Sequence, residues 1–285
     1  MKSFLQIYLL LFLFFKPEIL NAFPRIISLY AGHSDNIFAL GGGESLIALS
    51  ENHDDEFLPN LPRIKLKASP EKFLALKPDI IITRSLADRV NPNLSKVLRE
   101  AGVKVFIIDP PDWSNFENYL ITLANILEIK PDDALKKFSQ IKNTLAAKIP
   151  VNHKNINVFV EATGRELHTC SPNSWAANLI QLAGGNNIAK NATPLHDKSN
   201  IAAFGVERVL KSHVDEKIDV YIIQNGAMNN STPESFYKRS WSSALNGVKI
   251  VSVPEKFLSR PSLIGLEHGG AMLIKIFYDE SESDF

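Results

Sequence analysis

The chain has a single cysteine, Cys170, in 285 residues. No intrachain disulfide can form, so stability has to come from an apolar core. Excess charge is lacking too: 31 basic residues balance 31 acidic ones, which gives no support for nucleic acid or another polyanionic partner. No G-x-S-x-G pentapeptide occurs, so the usual strained-turn nucleophile of a serine hydrolase is missing. Nor is there a G-x-x-x-x-G-K-[ST] loop to anchor phosphate chemistry. The seven histidines form no H-x-H or H-E-x-x-H pair, and no metal site is visible from spacing. No catalytic residue, no cofactor and no metal ligand is assigned from these patterns.

Long apolar runs are also scarce, with one exception. Met1 and Lys2 precede 4-FLQIYLLLFLFF-15, and a more polar 16-KPEILNA-22 follows. A membrane span needs roughly 20 apolar residues, so this run is too short. It reads as a secretory signal peptide, residues 1–22, cut after Ala22; a retained N-terminal anchor is the alternative. Cleavage there leaves 29 basic and 30 acidic residues. No cysteine follows the apolar run to carry a lipid, so the expectation is a soluble periplasmic protein, exported and monomeric.

What is present is an alternation of short β-like runs and helical patterns, the mark of parallel sheets covered by helices. Strands are expected at 25–30, 45–50, 79–83 and 103–109, with helices over 34–41, 70–77, 91–101 and 114–128. Pro131, Asp132 and Asp133 open a long amphipathic helix with Leu135, Phe138, Ile141, Leu145 and Ile149 on one stripe. The alternation restarts with strands at 156–162, 218–223 and 248–254 and helices near 173–183, 205–212, 232–240 and from 263. The unit 70-PEKFLALKPDIIIT-83 has a counterpart in 205-GVERVLKSHVDEKIDVYII-223. The expected fold is α/β: two Rossmann-like lobes with parallel sheets, residues 23–130 and 151–285, joined by one long α-helix, 131–150. A single continuous sheet is the alternative.

The stretch 30-YAGHSD-35 spells His-Ser-Asp, but neighbours on a helix point in different directions and cannot form a triad. Ser34 or Asp35 would instead cap the helix starting there. The tripeptide 41-GGG-43 follows the helix and suits its C-terminus rather than a phosphate cradle. In open α/β sheets the C-terminal ends of strands line the ligand crevice. By that rule the facing loops carry Tyr30, His33, Arg84, Arg89, Trp113, Arg165 and Arg260. Aromatic faces and guanidinium forks suit a bulky, partly anionic ligand, although ordinary surface loops also carry scattered arginines. His33, His53 and His168 could converge across the lobes on a metal, or each could fill a capping or surface role.

The segment 25-RIISLYAGHSDNIFALGGGESLIALS-50 resembles the first strand–helix–strand unit of periplasmic solute-binding proteins that serve cobalamin and ferric-siderophore ABC importers. So does 69-SPEKFLALKPDIIIT-83, and 99-REAGVKVFIIDP-110 continues the likeness. In the second half 171-SPNSWAANLIQLAGGNNIA-189 and the arginine-proline loop 259-SRPS-262 extend it over nearly all the chain beyond residue 22. The resemblance implies capture of a small-molecule ligand (cobalamin, ferric siderophore or haem) in a cleft and delivery to an inner-membrane ABC permease, without catalysis. It implies permease docking through one glutamate on each lobe, here Glu71 and Glu207, which equally suit the positive ends of their helices. The second-lobe segment 210-LKSHVDEKIDV-220 departs from the family's shorter turn, and 84–91 lacks the tryptophan of some cobalamin binders. A bare transition-metal or oxyanion binder, and an enzyme on the same two-lobed architecture, are the rival classes.

Overall fold

The computed structural model describes residues 23–279 except 54–57, 59, 153, 165 and 198. The expected signal peptide, residues 1–22, lies outside the described residues. Among those described, no helix is long and apolar enough to cross a membrane.

In the first lobe β1 (Ile26–Ser28), α1 (Ala31–Ala39), β2 (Leu46–Ser50), β3 (Arg63–Ile64), α2 (Pro70–Leu74), β4 (Ile80–Thr83), α3 (Ser85–Val90), α4 (Leu94–Glu100), β5 (Lys104–Ile107) and α5 (Phe116–Ile126) follow in order. The five strands form one sheet in the order β3–β2–β1–β4–β5, and every pairing is parallel. Helix α6 (Pro131–Lys148) then leads into the second lobe. There β6 (Ile156–Glu161), β7 (Thr169–Cys170), α7 (Trp175–Leu182), β8 (Gly185–Asn187), β9 (Thr193–Pro194), β10 (Ile201–Ala203), α8 (Val206–Glu216), β11 (Val220–Asn225), α9 (Pro233–Tyr237), β12 (Lys249–Pro254), α10 (Glu255–Leu258) and α11 (Leu263–Tyr278) are built. Four of these strands form a parallel sheet, β12–β11–β6–β8. The continuous apolar runs of β1, β4, β6 and β11 follow from this arrangement, since helices cover both faces of each sheet. The two separate parallel sheets answer the single-sheet alternative.

Some local expectations need correction. A small antiparallel sheet, β7–β10–β9, sits in the second lobe and was not foreseen, because its strands have only two or three residues each. The helix expected over 91–101 is α4, which starts only at Leu94, after Asn93 takes φ 68°. Residues 84–91, expected as a loop, are helical from Ser85. The Asp109 carboxylate binds the Ser85 amide at 2.8 Å and its hydroxyl at 2.5 Å, capping α3 from another loop. A cap supplied 24 residues away leaves no local signal.

Each lobe has an apolar cluster of its own, around Phe73 and Ile81 in the first and Phe159 and Tyr221 in the second, but a third cluster joins the two. It runs from Ile26, Leu120 and Leu123 through Phe138 and Leu145 of α6 to Val158, Leu179 and Leu273. Phe116, Trp175 and Trp113 pack at its centre, with ring centroids 4.7 Å apart for Phe116–Trp175 and Trp113–Trp175. Each such pair adds about 0.5–1.5 kcal/mol beyond simple burial. Helix α11 lies close against its neighbours: a Cβ on Gly269 would come within 1.8 Å of the Phe257 carbonyl oxygen.

A polar seam accompanies the apolar one. Asn36 of α1 is fully buried (0% exposed) and reaches across the lobes. Its Nδ2 donates to the Pro261 carbonyl at 3.0 Å, and its Oδ1 accepts from the Leu263 amide at 2.9 Å. It therefore satisfies an orphan donor at the start of α11, beside the Ser262 side-chain cap. Nearby, His33 places Nε2 on the Ile108 carbonyl (2.9 Å) and Nδ1 on the Tyr119 hydroxyl (2.7 Å). A carbonyl can only accept, so Nε2 carries the proton and Nδ1 accepts from Tyr119. Burial holds the His33 imidazole neutral, with its pKa lowered to about 4.

Two outcomes follow from this seam. Replacing Asn36 by alanine strands buried groups on both lobes and should cost about 2–4 kcal/mol, read by urea denaturation. For His33, the unfolded chain takes up a proton near pH 6.5 that the folded protein refuses until about pH 4. Its contribution is therefore complete above pH 6.5 and lost as pH falls through that window, about 3 kcal/mol in full. The wild type should lose more stability across that window than His33→Gln, and equal losses would contradict the assignment.

Candidate functional site

The strand order of the first lobe reverses between β1 and β4, so a crevice opens beyond their C-terminal ends. Tyr30 and Arg84 stand at those two ends. The Arg84 guanidinium lies over the Tyr30 ring, 4.8 Å from its centroid. Gly32 permits this placement, because a Cβ there would sit 2.5 Å from the Tyr30 ring. Burial pushes the Tyr30 phenol up to about 12, against the pull of Arg260 and Arg84, so the group is a neutral hydroxyl. Arg84 Nε is buried and has no hydrogen-bond partner among the described residues, nor does the Thr83 hydroxyl beside it. Unpaired buried donors are costly and rare, and these two are grouped at the crevice.

From the second lobe, Arg260 reaches the same region. Its Nη1 lies 3.2 Å from Asp35 Oδ2, while His53 Nε2 donates to Asp35 Oδ1 at 3.0 Å. Asp35 thus links a first-lobe loop to the loop before α11. Glu255 also acts on the Tyr30 phenol from the second lobe. Arg89 is exposed at the end of α3, and with Arg84 it acts on Asp109. Burial alone would raise the Asp109 carboxyl, but the Ser85 contacts and these arginines hold it below the usual carboxylate range.

The structure thus brings Tyr30, Arg84 and Arg260 together and places Arg89 on the adjoining helix. Arg165 lies outside the described residues. His33 is corrected: it is buried inside α1 with both ring nitrogens engaged, and no face is offered to a ligand. Ser34 and Asp35 are corrected as caps. The helix begins three residues earlier than expected, at Ala31, and Ser34 donates instead to Ser28 Oγ at 2.8 Å. Trp113 is corrected as a free stacking surface, since its ring packs on Trp175 and Phe138 in the seam. His33, His53 and His168 do not converge; His168 pairs with Glu166 at 3.0 Å, away from the other two. Among the described residues, no group of three or more His, Cys, Asp or Glu side chains could hold a metal ion. Cys170 is buried, and burial raises its thiol to about 11, which leaves it a poor nucleophile.

Sequence reasoning missed a second polar centre, in the other lobe. Glu161, at the end of β6, accepts two hydrogen bonds from Arg239 (2.6 and 2.9 Å) and one from the Tyr221 hydroxyl (2.6 Å). Burial would raise this carboxyl, but those bonds outweigh it and hold the group below its ordinary value. Glutamate within the strand 156-INVFVEA-162 was the available signal, being a charge in an otherwise apolar buried run. Glu71 and Glu207 are exposed in the first turns of α2 and α8, and the Ser69 side chain holds the Glu71 carboxyl below its usual range. A hollow of about 480 Å³ adjoins Glu207, lined also by Glu166, Leu167, Gly205 and Trp241.

Comparison with known proteins accords with this geometry. The vitamin B12-binding protein of Vibrio parahaemolyticus is 26% identical over 186 residues, which span 62% of this chain and 65% of that protein. A possible iron-binding (periplasmic solute-binding) protein of Staphylococcus epidermidis superposes with a TM-score of 0.74 at 19% identity, over 91% of this chain and all of that one. The periplasmic haem-binding protein HutB of Vibrio cholerae does so with a TM-score of 0.68 at 18% identity, over 90% and 99%. At such identities the structural likeness is one of fold. The family model described as periplasmic binding protein, however, matches residues 26–240, and the chain belongs to that family.

Proposed function

We propose that the protein is the substrate-binding component of an ABC importer, taking up a bulky iron- or cobalt-containing ligand of the cobalamin, ferric siderophore or haem kind. The observation that carries this reading is the Tyr30–Arg84 pair at the first-lobe crevice, with Arg84 Nε buried and unpaired and Arg260 entering from the opposite lobe. An aromatic ring, a neutral phenol and convergent guanidinium groups suit a large, partly anionic ligand. The names of the B12- and haem-binding relatives point the same way. Arg89, exposed on α3, extends the basic lining of the first lobe, and the protein does no chemistry on what it holds. The continuous core through α6 and α11 favours a small closing motion over a wide hinge. Export to the periplasm by residues 1–22, and action as a monomer, complete the reading.

Purified protein titrated with cyanocobalamin, haem and ferric siderophores tests it, with quenching of Trp113, Trp175 and Trp241 as the readout. One of these should bind, and Arg84→Ala should weaken that binding about 10- to 100-fold, the worth of a charged hydrogen bond. A stoichiometric metal ion in elemental analysis, with no binding of the larger ligands, would favour the bare-metal alternative.

Delivery requires docking on the permease, and we assign that role to Glu71 and Glu207, exposed on corresponding helices of the two lobes. Reversing both charges to lysine should leave ligand affinity unchanged and abolish uptake in cells. Normal uptake by the double variant would remove the docking assignment.

A further inference from the structure

The order of the second-lobe sheet, β12–β11–β6–β8, reverses between β6 and β11. Its crevice therefore lies beyond Glu161 and Asn225, the C-terminal ends of those strands. A tight turn stands at that point. Gly226 and Asn229 exchange two backbone hydrogen bonds of 3.0 Å, leaving Ala227 and Met228 at the tip. Met228 is 54% exposed, while its neighbour Asn229 is buried.

The base of this turn is held unusually firmly. Asn229 Nδ2 donates to both the backbone oxygen and Oε1 of Glu161, each at 3.2 Å, and Asn229 Oδ1 accepts from the Ser231 amide at 3.0 Å. Arg239 donates to Ser231 Oγ at 3.1 Å while gripping the Glu161 carboxylate with both terminal nitrogens. A Cβ on Gly226 would meet Glu255 Oε2 at 2.4 Å, so the turn also packs against α10. Gln224, two residues before the turn, accepts a hydrogen bond from Ser259, and the next residue, Arg260, reaches Asp35 of the first lobe, so the turn stands at the side of its lobe that faces the first.

A buried ion pair is poor evidence for stability, because desolvation consumes most of its attraction; its best-attested use is to fix one arrangement against others. Here the arrangement fixed is a turn whose exposed tip is a large apolar side chain. We propose that the Gly226–Asn229 turn is the second-lobe jaw of the cleft, with Met228 contacting the ligand and Glu161–Arg239 serving as its positioning pair. The inference rests on the reading of the cleft as the ligand site and narrows the ligand class. The ligand presents an anionic edge to Arg84 and a flat or irregular apolar face to the second lobe, against which a flexible, polarizable thioether packs well.

The test compares wild type with Met228→Ala, Met228→Glu, Arg239→Met, Arg239→Lys and Arg84→Ala, titrated with ferric haem, cyanocobalamin and ferric siderophores. Met228 is exposed, so its variants should melt as wild type does. Met228→Glu should weaken binding of the recognised probe about tenfold or more, and Met228→Ala by less, as expected for loss of one apolar contact. Arg239→Met should speed ligand release and amide exchange at 226–231, and Arg239→Lys should restore part of both. Affinities within about twofold of wild type for both Met228 variants would overturn the jaw, a change smaller than one lost methylene contact. So would an Arg239→Met protein that is less stable yet unchanged in release rate and in exchange at 226–231. If Arg84→Ala weakens binding and the Met228 variants do not, only the jaw falls. If wild type binds none of these probes, the cleft reading falls and the jaw with it.

Discussion

The side chain of Asn36 is the contact on which the rest of this structure depends. Its amide spans the lobes from inside α1, with a donor to Pro261 and an acceptor for the Leu263 amide, and the side chain is fully buried. This fixes the N-terminus of α11 against the first lobe, and α11 in turn packs along α6. Because Arg260 and Pro261 immediately precede that N-terminus, the same contact sets where the second-lobe arginine can reach. The cleft is thus framed by the seam beneath it rather than by its own loops.

The two crevices share a topology and differ in chemistry. The first lobe offers a ring and a guanidinium with spare hydrogen-bonding capacity at Arg84 Nε and the Thr83 hydroxyl. In the second lobe the comparable arginine, Arg239, is spent internally on Glu161, and an apolar tip stands at the crevice instead. Buried charge that satisfies itself builds a scaffold, whereas buried charge left unpaired waits for a partner. On this distinction a ligand held as proposed would meet polarity in the first lobe and shape in the second.

Much of the architecture was legible because parallel strands buried on both faces read as continuous apolar runs. Ile80–Thr83 and Val220–Asn225 stood out for that reason, as did α6 with its proline start and its apolar stripe. The helix start at Ala31 was hidden because Gly32, which looks like a helix stop, is there to admit the Tyr30 ring. Helix α3 was hidden because its cap comes from Asp109. His33 looked available from spacing alone, and only the approach of Tyr119 and Ile108 from distant segments shows it consumed. The Glu161–Arg239 pair joins residues 78 apart; a charge inside an apolar run marks Glu161, but nothing local names Arg239 as its partner.

By itself, the sequence determined the fold class, the two-lobed order and the strand ends from which a site is drawn, because periodicity and punctuation are local properties of the chain. It also determined the residues competent to bind, since aromatic and guanidinium chemistry belongs to the side chain alone. Tertiary structure decided which of those residues remain free. Tyr30 and Arg84 stay at the crevice, His33 and Trp113 are absorbed into the seam, and Met228 is held exposed by a charge pair two elements away. The physical reason is that availability depends on hydrogen-bond partners and packing neighbours brought in from far along the chain, and no local pattern encodes who those neighbours will be.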